Sequence, residues 1–289
     1  MGRFLNAAGF ILLVFGFLLL LPSCEEVGPD ICLKDCDGDV LLDTTYVTSS
    51  IPSPQMKKVL LEDFTGVRCT NCPQGHSLTK TLETQNPDQI IAVALHSDFL
   101  AFPYPGNQDL RSQAANDIAN IFSPPAKPSA LIDRHLFPGE VIKCYLLGKW
   151  TGYVNDRLQE DAPVNITLSS TFDDVARETV LRMELVYTEA QSVDNRYGLW
   201  IMEDNLQSAQ LNGSTIDSPY IHQHVIREYI TPASGVALTE NLEGGRVIIK
   251  EFLVPISGEY DESNVSIGAW VGEGGTSTTI LQATKVKIQ

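Results

Sequence analysis

The chain has 289 residues, with 20 Lys and Arg against 36 Asp and Glu, for a formal net charge of −16. An acidic surplus of this size excludes nucleic-acid binding, which needs Lys and Arg to neutralise phosphates, and it excludes electrostatic adhesion to anionic lipid. Hydrophobic residues make up 43% of the chain, enough for a buried core, and the length suggests roughly two domains.

Residues 1–23 read as an address. Arg3 is their one charged residue, and an apolar run broken only by Gly follows from Ala7 to Leu21. A charged start, a short apolar stretch and a small residue before the cut describe a secretory signal. The run is short for a spanning helix, which needs about 20 residues. Leu21-Pro22-Ser23-Cys24 resembles a bacterial lipobox, in which the Cys receives diacylglyceryl and becomes the new N-terminus. Cys24 is therefore the expected lipidation site, and the membrane is an expected partner through that lipid. An uncleaved anchor and a plain secreted protein stay open as alternatives. Glu25 and Glu26 resemble the surface-export signals of Bacteroidetes lipoproteins.

Such an address places the rest of the chain outside the cytosol, where disulfides persist. Of the 6 Cys, Cys32, Cys36, Cys69, Cys72 and Cys144 remain once Cys24 is lipidated, so at least one thiol is left over or pairs between molecules. Residues 24–56 read as an acidic, Pro- and Ser-containing tether. Within it, Asp35-Cys36-Asp37-Gly38-Asp39 resembles a calcium loop, but Gly is fourth and the twelfth position is Tyr46, where an EF-hand has Gly sixth and Glu twelfth. An acidic turn closed by a Cys32–Cys36 bridge is the expectation instead.

From residue 57 to 162 the pattern is α/β. Val59–Phe64 reads as a short apolar strand, Pro73–Gln85 as a helix with Pro in its first turn, and Ile90–Leu95 as a buried parallel strand. Asp109–Phe122 reads as a second helix, with Leu110, Ala114 and Ile118 on one face. Ala130–Ile132 and Val141–Ile142 flank Phe137-Pro138-Gly139 as a predicted hairpin, with Cys144 on its outer strand as a buried or idle thiol. Trp150, Val154 and Leu158 mark a last helix. Residues 163–289 read as all-β, with strands predicted near 165–169, 181–187, 197–202, 225–229, 247–254, 265–271 and 279–288. That spacing suggests an antiparallel sandwich of immunoglobulin-like type.

The chemical constellation is Cys69-Thr70-Asn71-Cys72, set after a strand and opening a helix, which is the thioredoxin-type arrangement. A Cys at a helix N-terminus gains thiolate character from unpaired N–H groups and the macrodipole, and Arg68 adds charge. Cys72, shielded in the helix, would resolve a mixed disulfide. Asp63 matches the buried Asp of thioredoxins and would take the resolving thiol's proton. Pro128 stands where those folds place a substrate-docking cis-proline. Asn71 replaces the usual Pro, no Trp precedes Cys69, and Lys127 precedes Pro128 where a β-branched residue is usual. Two other readings of the pair stay open: a permanent structural disulfide, and zinc held by Cys32, Cys36, Cys69 and Cys72. In His222-Gln223-His224-Val225-Ile226, read as a strand, His222 and His224 share a face and could chelate zinc or copper. No third ligand is near in sequence, so no metal and no cofactor is expected.

The stretch from Val59 to His76, with Ala92–His96, Pro128-Ser129, Asp133-Arg134 and His222–Arg227, resembles the outer-membrane-protein-28-related lipoproteins of Bacteroidetes across residues 57–289. The resemblance implies an outer-membrane lipoprotein with a thioredoxin-like domain and a C-terminal β domain. It leaves two functional expectations: thiol–disulfide exchange on extracytoplasmic proteins, or a non-catalytic adhesin or receptor in which the Cys pair is a staple.

Overall fold

The computed structural model describes residues 39–289. The expected signal segment, Cys24 and the Cys32–Cys36 bridge lie outside them. The described residues belong to one compact unit. In chain order the elements are β1 (Asp39–Val47), β2 (Val59–Thr65), α1 (Cys72–Gln85), β3 (Ile90–His96), α2 (Gln113–Phe122), β4 (Ser129–Ile132), β5 (Tyr145–Leu146) and α3 (Trp150–Leu158). An all-β run follows: β6 (Val164–Asp173), β7 (Glu178–Tyr187), β8 (Asn195–Glu203), β9 (Leu206–Asn212), β10 (Thr215–His222), β11 (Val225–Tyr229), β12 (Val236–Ala237), β13 (Arg246–Pro255), β14 (Val265–Glu273) and β15 (Ile280–Lys287).

The fold is a mixed α/β sheet combined with an antiparallel β-sheet. The large sheet has 9 strands in the order β15-β14-β8-β11-β3-β2-β4-β5, with β12 beside β8. β2 and β3 pair in parallel through the α1 crossover, and β11 joins β3 in parallel. The expected boundary at 162/163 thus falls between α3 and β6 inside a unit whose central sheet takes strands from both sides. The second sheet, β1-β13-β7-β6, is antiparallel.

Burial on β2 follows the two-residue period of a strand. Leu60 and Phe64 join the core formed with α2, Trp200 and Trp270. Val59 and Leu61 join the core formed with α1, α3, Tyr145 and Trp150. A third core fills the space between the four-stranded sheet and β8 and β14, with Leu185, Ile248, Leu199 and Ile267 among its members. Two tryptophans are seated by facing glycines across the β8–β14 ladder. Gly198 is opposite Trp270 and Gly268 is opposite Trp200, and a Cβ on either glycine would land in the indole it faces.

Two buried carboxylates near the core are compensated by buried cations. Glu62, on the Leu60 face of β2, receives Arg134 in a two-pronged bond of 2.7 and 2.8 Å. Asp133 accepts from Lys57 and Arg157 at 2.8 Å each and from the Leu60 amide at 2.8 Å.

Several elements differ from expectation, three of them N-terminal to α3. Residues 39–47, within the expected tether, form β1 on the edge of β13, because the β-branched and aromatic run Val40 to Val47 has a strand to pair with. The second hairpin strand is Tyr145–Leu146, not Val141–Ile142. Val141 is 92% exposed, whereas Tyr145 is buried among Phe137 and Tyr153 with its hydroxyl donating to the His135 carbonyl. The helix expected from Asp109 begins at Gln113, capped by Ser112, whose Oγ accepts from the Ala115 amide at 3.1 Å.

Candidate functional site

β2 ends at Thr65, a turn through Cys69 follows, and Cys72 opens α1. The Cys72 amide donates to the Cys69 carbonyl, closing that turn at 3.3 Å. Cys69 and Cys72 form a disulfide with Sγ–Sγ 2.07 Å. Cys72 is fully buried and Cys69 is 4% exposed. Arg68 turns its guanidinium to the carbonyls of Phe102 and Pro103, at 2.7 and 2.9 Å, and stacks on Tyr104. Its charge is thus held by the 99–104 loop.

Asp63 lies on the α1 side of β2, opposite in direction to Glu62. It is buried, and its Oδ1 has no hydrogen-bond partner. Burial pushes its carboxyl up to about 8, against the pull of the Lys127 ammonium. The Lys127 side chain is itself buried, with Nζ donating to the Thr65 carbonyl at 2.9 Å and to the Ser97 carbonyl, and paired with Asp98 at 3.1 Å. This accounts for Lys127 in place of a β-branched residue: it ties the 127–128 turn to the ends of β2 and β3. The Lys127–Pro128 peptide is cis. Gly75, in the first turn of α1, is where these parts converge. A Cβ there would stand 3.2 Å from Pro128, 3.2 Å from Trp150 and 3.3 Å from Asp63 Oδ2. Cys72, Asp63 and Pro128 are therefore gathered around the start of one helix.

The β9–β10 hairpin covers this loop, and the sequence reading had no element there. Gln210 Nε2 donates to the Cys69 carbonyl at 3.1 Å, the Leu211 amide to the Val67 carbonyl at 2.8 Å, and Thr70 Oγ1 to the Gly213 carbonyl at 2.5 Å. Its turn, Asn212-Gly213 with Gly213 at φ +60°, was the legible signal.

Behind α1 lies a cavity of about 610 Å³ lined by Asp63, His76, His96, Tyr220, His222 and His224, among others. His222 closes β10, but His224 sits in the connection to β11 with φ +58°, so the two do not share a strand face. His224 instead bridges Asp204 and Glu83 at 3.1 and 3.2 Å. Burial opposes its charge, yet these carboxylates hold its pKa above the usual histidine value. His222 packs edge-on against His96, with ring centroids 5.2 Å apart, and lies 6.0 Å from His76. His76 is fixed by Thr65 and Tyr220, at 2.8 Å on each ring nitrogen. Burial pushes His76 down to about 4 and His222 to about 3, and it drives His96 well below the ordinary value. All three are neutral near pH 7. Among the described residues, no group of three or more His, Cys, Asp or Glu is arranged to hold a metal ion, and no helix is long and apolar enough to cross a membrane. Cys144 is a free, buried thiol, pushed up to about 12 by burial.

Comparison with known proteins adds the following. The family model described as "Outer membrane protein Omp28" matches residues 115–289, more than half of the chain. The Cys69–Cys72 pair precedes that span. Among solved structures, HBP35 of Porphyromonas gingivalis is similar with TM-score 0.64 at 15% identity, over 82% of this chain and 77% of that one. Protein AGR_C_4864 of Agrobacterium tumefaciens is similar with TM-score 0.51 at 12% identity, over 82% of this chain and 97% of that one. At these identities the likeness is one of fold. No curated protein matches the chain.

Proposed function

The chain belongs to the Omp28 outer membrane protein family, and from that premise we propose a lipid-anchored protein of the outer membrane whose Cys69–Cys72 pair exchanges disulfides with extracytoplasmic proteins. The anchor is diacylglyceryl on Cys24. Residues 57–162 are read as the thioredoxin-like part and 163–289 as the immunoglobulin-like part, sharing a sheet.

Asp63 is the observation that carries the reading. A disulfide staple has no use for a buried carboxyl with an unpartnered oxygen, which costs stability. A dithiol does, because its resolving thiol must lose a proton while shielded from water. In the reducing direction the Cys69 thiolate attacks a substrate disulfide, and the first substrate sulfur leaves as a thiolate. Asp63, ionised, accepts the Cys72 proton. Cys72 then attacks Cys69 Sγ, forming the Cys69–Cys72 bond and expelling the second substrate sulfur. The substrate gains two electrons and the protein dithiol loses them. A thiol reductant closes the cycle, and the steps reverse when the protein acts as oxidant. Pro128 docks the substrate strand beside the pair.

A second reading, a non-catalytic binding protein in which the pair is a staple, is favoured by one observation: Cys69 is 4% exposed beneath the β9–β10 hairpin. Insulin reduction by the purified protein with dithiothreitol separates the two. Turnover abolished by Cys69→Ala supports exchange. Absence of turnover in the wild type, with stability lost in Cys69→Ala, supports the staple. Membrane release of the Cys24→Ala variant tests the anchor, and unchanged fractionation would refute it.

A further inference from the structure

Exchange at Cys69 needs its sulfur to be reached, yet the residue is 4% exposed. Its cover is the β9–β10 hairpin, which among the described residues forms a two-stranded sheet of its own. Such a hairpin is marginally stable by itself, so its place depends on what holds its outer edge. Three amides at alternate positions along that edge donate to loops. Ala209 donates to Asn107 Oδ1 at 2.8 Å, Leu211 to the Val67 carbonyl at 2.8 Å and Gly213 to the Thr70 carbonyl at 3.2 Å. Side chains add bonds from Ser208 Oγ to the Gln108 carbonyl, from Gln210 Nε2 to the Cys69 carbonyl and from Thr70 Oγ1 to the Gly213 carbonyl. Resting on the exchange reading of the Cys pair, we propose that this hairpin is a lid that lifts about Asn205 and His224. Seated, it shields Cys69. Lifted, it frees Cys69 and the Val67 and Thr70 carbonyls for an extended segment of the substrate protein, which takes the place of the β9 edge.

The hinge is visible in the backbone. Asn205 and His224 stand at the roots of the two strands with φ +61° and +58°, a left-handed conformation uncommon for residues other than glycine. Both roots are anchored. Asn205 and Gln223 exchange bonds of 3.2 and 3.0 Å, and His224 is held by Asp204 and Glu83. The apolar contact beneath the hairpin is small. The core there has four buried residues, Val67, Leu110, Leu206 and Val225, and Leu206 lies beside the hinge. Toward the tip the seat is polar, and one part of it is unmatched: Gln210 is fully buried, but its Oε1 has no hydrogen-bond partner. The seated state carries that cost and the lifted state is relieved of it. On β10, the Tyr220 hydroxyl meets His76 Nδ1 at 2.8 Å. Lifting thus exchanges polar bonds for bonds to water or substrate and exposes little apolar surface, which places the hairpin among the segments that open before the fold does.

The test reads opening in the oxidised full-length protein and needs no turnover. In hydrogen exchange, the Ala209, Leu211 and Gly213 amides should exchange about a hundredfold faster than those of the β2–β3 ladder, because lifting frees them without unfolding the large sheet. Asn107→Ala and Ser208→Ala each remove a bond that seats the edge. Each should speed reduction of the Cys69–Cys72 bond by tris(2-carboxyethyl)phosphine, a reductant bulkier than dithiothreitol, by about tenfold, the weight of one buried hydrogen bond. Exchange of the ladder should not change. Edge amides that exchange only together with the ladder, or reduction indifferent to both substitutions, would overturn the lid. Insulin turnover retained in that case would leave the exchange reading standing. A hairpin that opens in a protein without insulin turnover would overturn the exchange reading and the lid's role with it. Wild-type exchange decides the matter even if a variant fails to fold.

Discussion

Replacing Asp63 by Asn removes the buried charge while keeping the side chain's shape. In the folded protein the Asp63 carboxyl titrates at about 8, against an ordinary 3.8. The folded state therefore holds a proton that the unfolded chain releases between those values. Stability then falls as pH rises from about 4 to about 8, by about 1.4 kcal/mol per unit from this group alone. Above about pH 8 both states are ionised and the penalty is constant. Asn carries none of it. The variant should match the wild type near pH 4, exceed it by about 3 kcal/mol at pH 6, and exceed it by about 5 kcal/mol at pH 8 and beyond. Urea unfolding of the oxidised protein at these three pH values reads the difference directly. Parallel profiles for the two proteins, or an Asn variant less stable at pH 8, would refute the buried, unpartnered carboxylate and with it the argument for a proton acceptor. The same substitution should slow insulin reduction, because the proton of Cys72 loses its acceptor.

Further outcomes follow from other buried sites. Glu62→Ala leaves the Arg134 guanidinium buried without its carboxylate and should cost about 3–5 kcal/mol in urea unfolding. Gly268→Ala drives a methyl into the Trp200 ring and should cost about 1–3 kcal/mol, with a changed near-ultraviolet circular dichroism spectrum. The Cys144 peptide should resist iodoacetamide at pH 8 in the folded protein and react fully in urea, because the thiol is buried and titrates near 12. His224 titrates above its unfolded value, so its ion pairs stabilise the fold fully below about pH 6.5 and are lost as pH rises through the folded value. Unfolding should accordingly show a larger loss for His224→Gln at pH 6 than at pH 9.

The sequence reveals those parts of the fold in which local pattern and tertiary role agree. The apolar run at 90–95 is buried on both faces of a sheet, and its composition alone says so; the run at 59–64 is legible as a strand, but nothing local announces that its Glu62 and Asp63 are buried too. The Cys-x-x-Cys at the head of a helix is legible for the same reason: its spacing is its chemistry. β9 and β10 escape because their composition, Leu-Gln-Ser-Ala-Gln-Leu-Asn then Thr-Ile-Asp-Ser, is half polar. They pair with each other and are tied to the 66–70 loop by Gln210, Thr70 and the backbone of Leu211 and Gly213, long-range bonds that no local pattern encodes. The histidine cluster escapes for a different reason. His76, His96 and His222 come from a helix, a strand end and a hairpin far apart in the chain. Reading His222 with His224 paired the wrong neighbours, because the chain turns at His224. The continuity of the sheet past residue 163 rests on one parallel bridge, Val225 to Ala94, between segments that each read as complete on their own.

The central claim is that Cys69–Cys72 is a working redox pair. Its most direct test is the reduction potential, measured by equilibrating the protein in dithiothreitol buffers and trapping the thiols. Dithiothreitol is small enough to limit interference from the hairpin over Cys69. A pair that exchanges with protein substrates should lie above about −300 mV, in the range of known thiol–disulfide oxidoreductases. A value below about −300 mV would mark a structural disulfide and contradict the account.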